Sequence, residues 1–441
     1  MTDAPTGTAT DVEVTAATVL ALLDAGPTTS RQAVLRTARD GRHKLAATLL
    51  SLWAEGGEAL TEAEAAELRL HRERVDHYRR VWSGLRTAAP GVSLLKGMTI
   101  AGLYPSGVLR AAGDLDVVCP GHADLWGCAQ QLTSTGWELA AFTVSPARTG
   151  DSVPLHLGAE FRSPAPEPSP DPYAVGLFTA EIVTEVRAPA WQLTRPSRSP
   201  LAVCAVALVA ERWERPFRSR DLLDLALLLQ HLDDTGVRQL RTDLARTGLW
   251  PEWREARRAM ARLGWRPAVA PPHSRAAAVR ARLLRAARTA ARWSSPVRAP
   301  ALLAQSGIEG AGGRFAALAS DLAHRGIGAR RLLGAGLPLF GVPLSDEPAD
   351  RLRLDDVGRH LVARTPLGSF LLVSGAARQE WLDEAASGSP VAAEPATAPA
   401  AAEPFTAPAA GKPCGGDPVA GEPCADKAVE EPRSTSVEPG T

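Results

Sequence analysis

The chain has 441 residues, enough for two domains and a tail at roughly 100–200 residues per domain. Its 49 basic and 49 acidic residues cancel, which argues against a global field for nucleic acid or an anionic membrane. No apolar run reaches the roughly 18 residues of a membrane span, and the polar residues 1–11 lack the basic and apolar regions of a signal peptide, so a cytoplasmic location is expected. The charge balance hides an asymmetry: from Ser387 onward eight acidic residues face three basic ones, which leaves the preceding chain net positive by five. The five cysteines (Cys119, Cys128, Cys204, Cys414 and Cys424) are too scattered for a zinc site and read as ordinary thiols. Only four of the 49 basic residues are lysines (Lys44, Lys96, Lys412 and Lys427), so arginine is the default cation and Lys96 stands out.

In chain order, residues 1–12 carry no pattern and are expected to be disordered. Segments 14–23, 30–38, 43–53 and 62–87 carry apolar residues at helical spacing, punctuated by Gly26-Pro27, Gly41 and Gly56-Gly57. Thr61 followed by Glu62 and Glu64 is an N-terminal signature for the fourth helix. Residues 13–89 therefore form a helical N-terminal region. From residue 90 to 195 the pattern changes to short strands and helices. Segment 92–95 reads as a strand, 98–103 as a helical turn, 115–119 as a strand, 122–135 as a helix, and 137–143, 153–161 and 180–187 as strands. The five prolines within 163–172 mark a loop. Helices return over 196–295. Ser219 is the expected cap of the helix over 219–232, and Asp221 and Asp224 are expected to favour its N-terminal dipole. The arginines of 274–293 lack stacking aromatics, so a solvated face is favoured over nucleic-acid binding. Residues 296–386 read as a further mixed region with one strand-like run, 370–373. Residues 387–441, with ten prolines and Phe405 as the sole aromatic, are expected to be disordered and available to a protein partner. The fold class is α+β: a small mixed-sheet core flanked by helices.

Asp114 and Asp116 carry the chemistry. Side chains alternate along a strand, so two aspartates separated by one residue share a face, while Leu115 and the following Val117-Val118 are expected to bury the opposite one. Phosphoryl transfer needs such hard oxygen donors for Mg²⁺, which takes few protein carboxylates and completes its shell with phosphates. Upstream, Lys96-Gly97 follows a short strand. Gly97 allows backbone amides to approach a phosphate, and Lys96 adds a point charge. Arg110 is a candidate for the triphosphate, or else an ion-pair partner of Asp114 or Asp116. His156 reads as a satisfied strand histidine.

The string Leu94-Leu95-Lys96-Gly97-Met98, Leu103-Tyr104-Pro105, Arg110, Gly113-Asp114-Leu115-Asp116-Val117-Val118 resembles the signature of the uncharacterised nucleotidyltransferase family, part of the superfamily of DNA polymerase beta and the antibiotic nucleotidyltransferases. The stretch Arg218-Ser219-Arg220-Asp221-Leu222-Leu223-Asp224 resembles the Arg/Asp-rich helix that follows the catalytic sheet in such proteins. The resemblance implies a metal-binding third acid on a later strand, followed by an apolar residue and His. Its nearest counterpart is Glu185 in Val183-Thr184-Glu185-Val186-Arg187, with Glu160 and Glu181 as alternatives. If Val153-Pro154-Leu155-His156 is the counterpart instead, Pro154 replaces the acid. The expected activity is Mg²⁺-dependent transfer of a nucleoside monophosphate from an NTP, ATP first, to an unidentified hydroxyl acceptor. Asp114, Asp116 and Glu185 would be the metal and catalytic residues, and Lys96, Gly97 and Arg110 the nucleotide ligands. A catalytically inactive partner protein of a biosynthetic pathway, built on the same fold, is the alternative. A glycosyltransferase metal site is a third reading, disfavoured by the upstream Lys-Gly.

Overall fold

The computed structural model describes residues 12–387 except 148–151, 165–171, 183–191, 194–198, 214, 268, 335–337, 375–376 and, apart from Val279 and Leu283, 271–327. Residues 183–187 of the expected strand 180–187, the arginine-rich segment 274–293 and the segment 388–441 therefore lie wholly or largely outside the described residues.

Four helices open the chain: α1 (Ala16–Leu22), α2 (Arg31–Arg39), α3 (Ala46–Glu55) and α4 (Glu62–Ala88). Local chemistry sets their starts. Thr15 and Ser30 accept backbone N–H groups of the first turns of α1 and α2. The Thr61 hydroxyl accepts from Glu64 N while the Glu64 carboxylate accepts from Thr61 N at 2.9 Å, a reciprocal cap that fixes the start of the 27-residue α4. Next come β1 (Ser93–Leu95), α5 (Gly97–Ala101), β2 (Leu115–Val118), α6 (His122–Ser134), β3 (Glu138–Pro146), β4 (Leu155–Ser163) and β5 (Tyr173–Phe178). A second helical group follows: α7 (Pro200–Ala210) with a 3-10 turn at Glu211–Trp213, α8 (Ser219–Gln230), α9 (Asp234–Thr247) and α10 (Trp250–Arg262). The chain ends with α11 (Ala329–Gly334), β6 (Leu339–Ser345), β7 (Arg353–Val357), β8 (His360–Thr365), β9 (Gly368–Val373) and α12 (Gln379–Ala386). Among the described residues no helix is long and apolar enough to cross a membrane.

The strands form one mixed sheet in the order β1-β2-β5-β4-β3-β6-β9-β8-β7, antiparallel throughout except for the parallel pair β2–β5. The strand beside the Asp-x-Asp strand is thus β5, which lies before the segment expected to hold a strand. Within the expected 180–187, Ala180 and Glu181 lie in a bend and Ile182 forms an isolated bridge. Gly176 blurs the pattern of β5, since glycine inside a strand has no side chain to pack. The tertiary reason for that glycine is a ring: a Cβ there would sit 2.5 Å from the Phe178 ring and 3.2 Å from Asp116 Oδ1. A Cβ at Gly158 on β4 would likewise meet Thr143 Oγ1 at 2.5 Å and Cδ1 of the same ring at 3.2 Å.

The four C-terminal strands extend this sheet rather than forming a separate layer. Leu339, Phe340 and Gly341 of β6 pair with Val144, Thr143 and Phe142 of β3, and the Phe142 and Phe370 rings lie 4.9 Å apart. The run 370–373 accordingly belongs to β9, the last strand of the meander β7-β8-β9, which joins the rest of the sheet through the β6–β9 pair. Its neighbours escape a hydrophobic reading because β7 carries cross-strand charge, with Arg364 Nε donating to Asp355 Oδ2 at 2.7 Å.

Two apolar cores sandwich the sheet around β2, and a third packs α12 against β6–β9. Leu115 and Val117 face the core shared with α4, α6 and the C-terminal strands, whereas Val118 and Leu95 face the core of α7, α8 and α10. The alternation of β2 therefore directs Asp116, between Leu115 and Val117, to the α7–α8 side.

Candidate active site

Sheet register brings the sequence motif together. Leu95 of β1 pairs with Asp116 of β2, so Lys96 leaves the sheet beside that carboxylate. The chain then turns sharply: Lys96 has φ 57° and ψ −124°, and Gly97 has φ 24°. Positive φ is costly for a lysine, about 1–3 kcal/mol, and persists where surrounding structure enforces it. Here the Lys96 N–H donates to Cys204 Sγ of α7 at 3.1 Å, and the side chain swings into a cleft. Its ammonium lies 3.1 Å from Asp116 Oδ2 and 2.9 Å from Glu211 Oε1.

That cleft is a cavity of about 410 Å³ between the end of β2 and the α7–α8 connection. Four acids (Asp114, Asp116, Glu181 and Glu211) and four bases (Lys44, Lys96, Arg215 and Arg218) line it, beside Ile182, Ala207 and Ala210. Asp114, Asp116 and Lys96 of the sequence motif meet there. Gly97 sits at the turn behind them, where its conformation, rather than lack of space, requires glycine, since a Cβ would meet only Asp114 O at 3.7 Å.

The remaining motif residues divide. Glu185 lies outside the described residues. Glu181 is buried in the cavity wall, and its Oε2 accepts from Leu193 N at 2.9 Å. Glu160 is paired on β4 with Arg162 at 2.9 Å and is not part of the cavity lining. Buried His156 shares a 3.3 Å hydrogen bond with Thr179 Oγ1. Arg110 points away from Asp114 and Asp116. Its Nη2 lies 2.7 Å from Asp224 Oδ2, Nε bonds both Asp224 oxygens, and the Tyr104 hydroxyl donates to Asp224 Oδ1 at 2.8 Å. Asp224 is therefore the anchor of a sealed ion pair rather than a dipole residue of α8. Asp221 does serve the helix start, accepting from Arg218 N at 2.8 Å, and also holds Arg215. Ser219 is not the cap; its hydroxyl donates to Leu22 O and hydrogen-bonds His43 Nδ1.

Electrostatics separates the cavity carboxylates. Burial pushes the Asp116 carboxyl above its ordinary value, the Lys96 ammonium pulls it back, and the Asp114 charge pushes it up again. Arg215 holds Glu211 and Asp221 together. Among the described residues no three His, Cys, Asp or Glu side chains are grouped so as to hold a metal ion. Asp114 and Asp116 nonetheless offer two hard oxygen donors at the cavity, the donor type a Mg²⁺ ion takes alongside substrate phosphates. An ammonium already stands against one of them as a cation.

Four lining residues were not singled out for this site: Lys44, Glu211, Arg215 and Arg218. For Lys44 a signal existed. Lysine is so scarce here that the two lysines before residue 412, Lys44 and Lys96, line the same cavity. Glu211, Arg215 and Arg218 carry no spacing relation to Asp114 and reach the cavity only through the packing of α7 on β1.

Neither a curated protein nor a solved structure matches the chain. The sequence profile of the uncharacterised nucleotidyltransferase family matches residues 42–264, a span that begins just before Lys44 and contains the whole cavity. The match covers half of the chain, and the protein belongs to that family.

Proposed function

We propose that the protein transfers a nucleoside monophosphate from an NTP, with ATP as the first choice, to a hydroxyl acceptor, and that Mg²⁺ serves at Asp114 and Asp116. The single observation that supports this reading most is the meeting of both aspartates and Lys96 in one charged cavity. A divalent cation held by the two carboxylates would neutralise phosphate oxygens and acidify the acceptor hydroxyl. Lys96 shifts its ammonium between carboxylate and phosphate, and Gly97 leaves the backbone at the turn open to the nucleotide. Asp116, whose affinity for a proton is raised by burial, takes the acceptor proton as the acceptor oxygen bonds the α-phosphorus. The bond to the β-phosphate oxygen breaks, and pyrophosphate leaves. Glu185, or Glu181 four residues earlier, supplies the third carboxylate. Calorimetry with ATP and Mg²⁺ tests the site: Asp114→Ala and Asp116→Ala are each expected to bind at least about tenfold more weakly than wild type, and equal binding by all three would sink it.

One observation favours a second reading, that of an inactive partner protein: Lys96 already neutralises Asp116, and no described three-residue metal cluster surrounds it. That reading predicts no pyrophosphate release with any of the four NTPs across small-molecule, peptide and protein acceptors.

A further inference from the structure

The cavity's charges are unevenly matched. Lys96 is held by Asp116 and Glu211, and Arg215 by Glu211 and Asp221. Lys44 and Arg218 line the same cavity, yet among the described residues neither side chain has a salt-bridge partner. Burial lowers the Lys44 pKa, and Arg218 and Arg220 lower it further against the pull of Asp114; burial and Arg215 act likewise on Arg218, against Asp221 and Asp114.

The fold holds these like charges together instead of letting them separate. Ser219 N donates to Arg42 O at 3.1 Å and Arg220 N to His43 O at 3.2 Å, while His43 Nδ1 and Ser219 Oγ lie 2.7 Å apart. Three hydrogen bonds thus staple the loop 42–44 onto the start of α8. Lys44 itself takes a left-handed backbone (φ 52°), unfavourable for a lysine and maintained by that docking. Asp114 and Asp221 offset part of this charge from a distance, but among the described residues no carboxylate lies within ion-pairing distance of either side chain. Two cations held at a cavity wall without a direct counter-ion form a receptor for an anion. The anion must be multivalent and compact, because Lys44 and Arg218 face the same space as Asp114 and its neighbours.

We propose that Lys44 and Arg218 form the polyphosphate subsite of this cavity, gripping the β- and γ-phosphates of the nucleotide and, after transfer, the departing pyrophosphate. This rests on the nucleotidyl-transfer reading for the identity of the ligand, but not for its charge. Arg110, sealed against Asp224, supports the wall of the cavity and does not touch phosphate.

The test is calorimetry on the full chain with Mg²⁺ and three probes: ATP, AMP and inorganic tripolyphosphate. The variants are Lys44→Met, Arg218→Gln and the double substitution. Each single substitution is expected to weaken ATP and tripolyphosphate by about tenfold or more, the range for a charge-assisted hydrogen bond, and to leave AMP unchanged. Thermal melts equal to or above wild type would show that the fold survives, since a repulsion is being removed. If ATP and tripolyphosphate bind wild type and double variant equally while Asp116→Ala loses ATP, the subsite is overturned and nucleotidyl transfer stands. If wild type binds tripolyphosphate in a Lys44-dependent way but no nucleotide, the subsite stands and the nucleotide reading falls. Binding of none of the probes by wild type overturns both.

Discussion

Arg110–Asp224 and Lys96–Asp116–Glu211 both pair a cation with carboxylates, and they differ in their access to water. The side chains of the first pair are 5 % and 0 % exposed, those of the second between 16 % and 21 %. In the sealed pair every charge is answered: Arg110 binds both Asp224 oxygens, and Tyr104 adds a hydroxyl. In the open cluster Lys96 serves two carboxylates, Glu211 is shared with Arg215, and Lys44 and Arg218 line the same cavity without a salt bridge among the described residues. The sealed pair holds the loop before β2 against α8, whereas the open cluster keeps unspent charge where a ligand can reach it. Buried, fully paired charge is a structural device; partly buried, mismatched charge marks a site of chemistry.

The largest effect expected from this contrast is on stability. Arg110→Ala or Asp224→Ala leaves a buried charge without a partner and should lower unfolding free energy by about 3–5 kcal/mol. Urea denaturation at constant m-value measures this, and the double substitution Arg110→Met with Asp224→Leu should cost less than either single change. A loss below about 1 kcal/mol for the single variants would abolish the distinction between the two clusters. Next, Tyr104→Phe removes one buried hydroxyl bond to Asp224 and should cost about 1–2 kcal/mol in the same experiment.

Asp116→Asn should act in the opposite direction. The folded-state pKa of Asp116 lies above its unfolded value, so between the two values the folded chain binds more protons. Stability therefore falls as pH rises through that window, and the cost is fully present above it. The asparagine variant is expected to melt higher than wild type at pH 7, with the gap closing towards about pH 4, the ordinary carboxylate value. Melting curves that differ by the same amount at both pH values would contradict this assignment. The smallest effect concerns Cys204, whose thiol is buried behind Lys96 and pushed up to about 11. In peptide-level labelling at pH 8 the Cys204 peptide should react with a thiol reagent only after urea is added.

Much of this molecule is written in short stretches of chain. The capped α4, the strand–turn–strand around Lys96-Gly97 and the Asp-x-Asp face follow from local rules: capping, a period of 3.6 or 2, and punctuation by glycine and proline. Those rules act over a few residues and survive any packing. They placed Asp114, Asp116 and Lys96 at one site, together with the family signature that residues 42–264 share.

Other features depended on which elements meet. β5 escaped detection because Gly176 makes room for Phe178, a contact invisible to periodicity. The meander β7–β9 was hidden by charged residues that pair across strands. The spacing of Arg110 is compatible with either phosphate or carboxylate; docking of α8 gave it Asp224, 114 positions away. Lys44 lies 70 residues before Asp114, yet the stapling of its loop to α8 brings both to one cavity. By itself, the sequence determined the local conformations and the shared face of Asp114 and Asp116. Only the tertiary structure decided which charges are sealed and which remain free for a ligand, because solvation and pairing are properties of the packed chain.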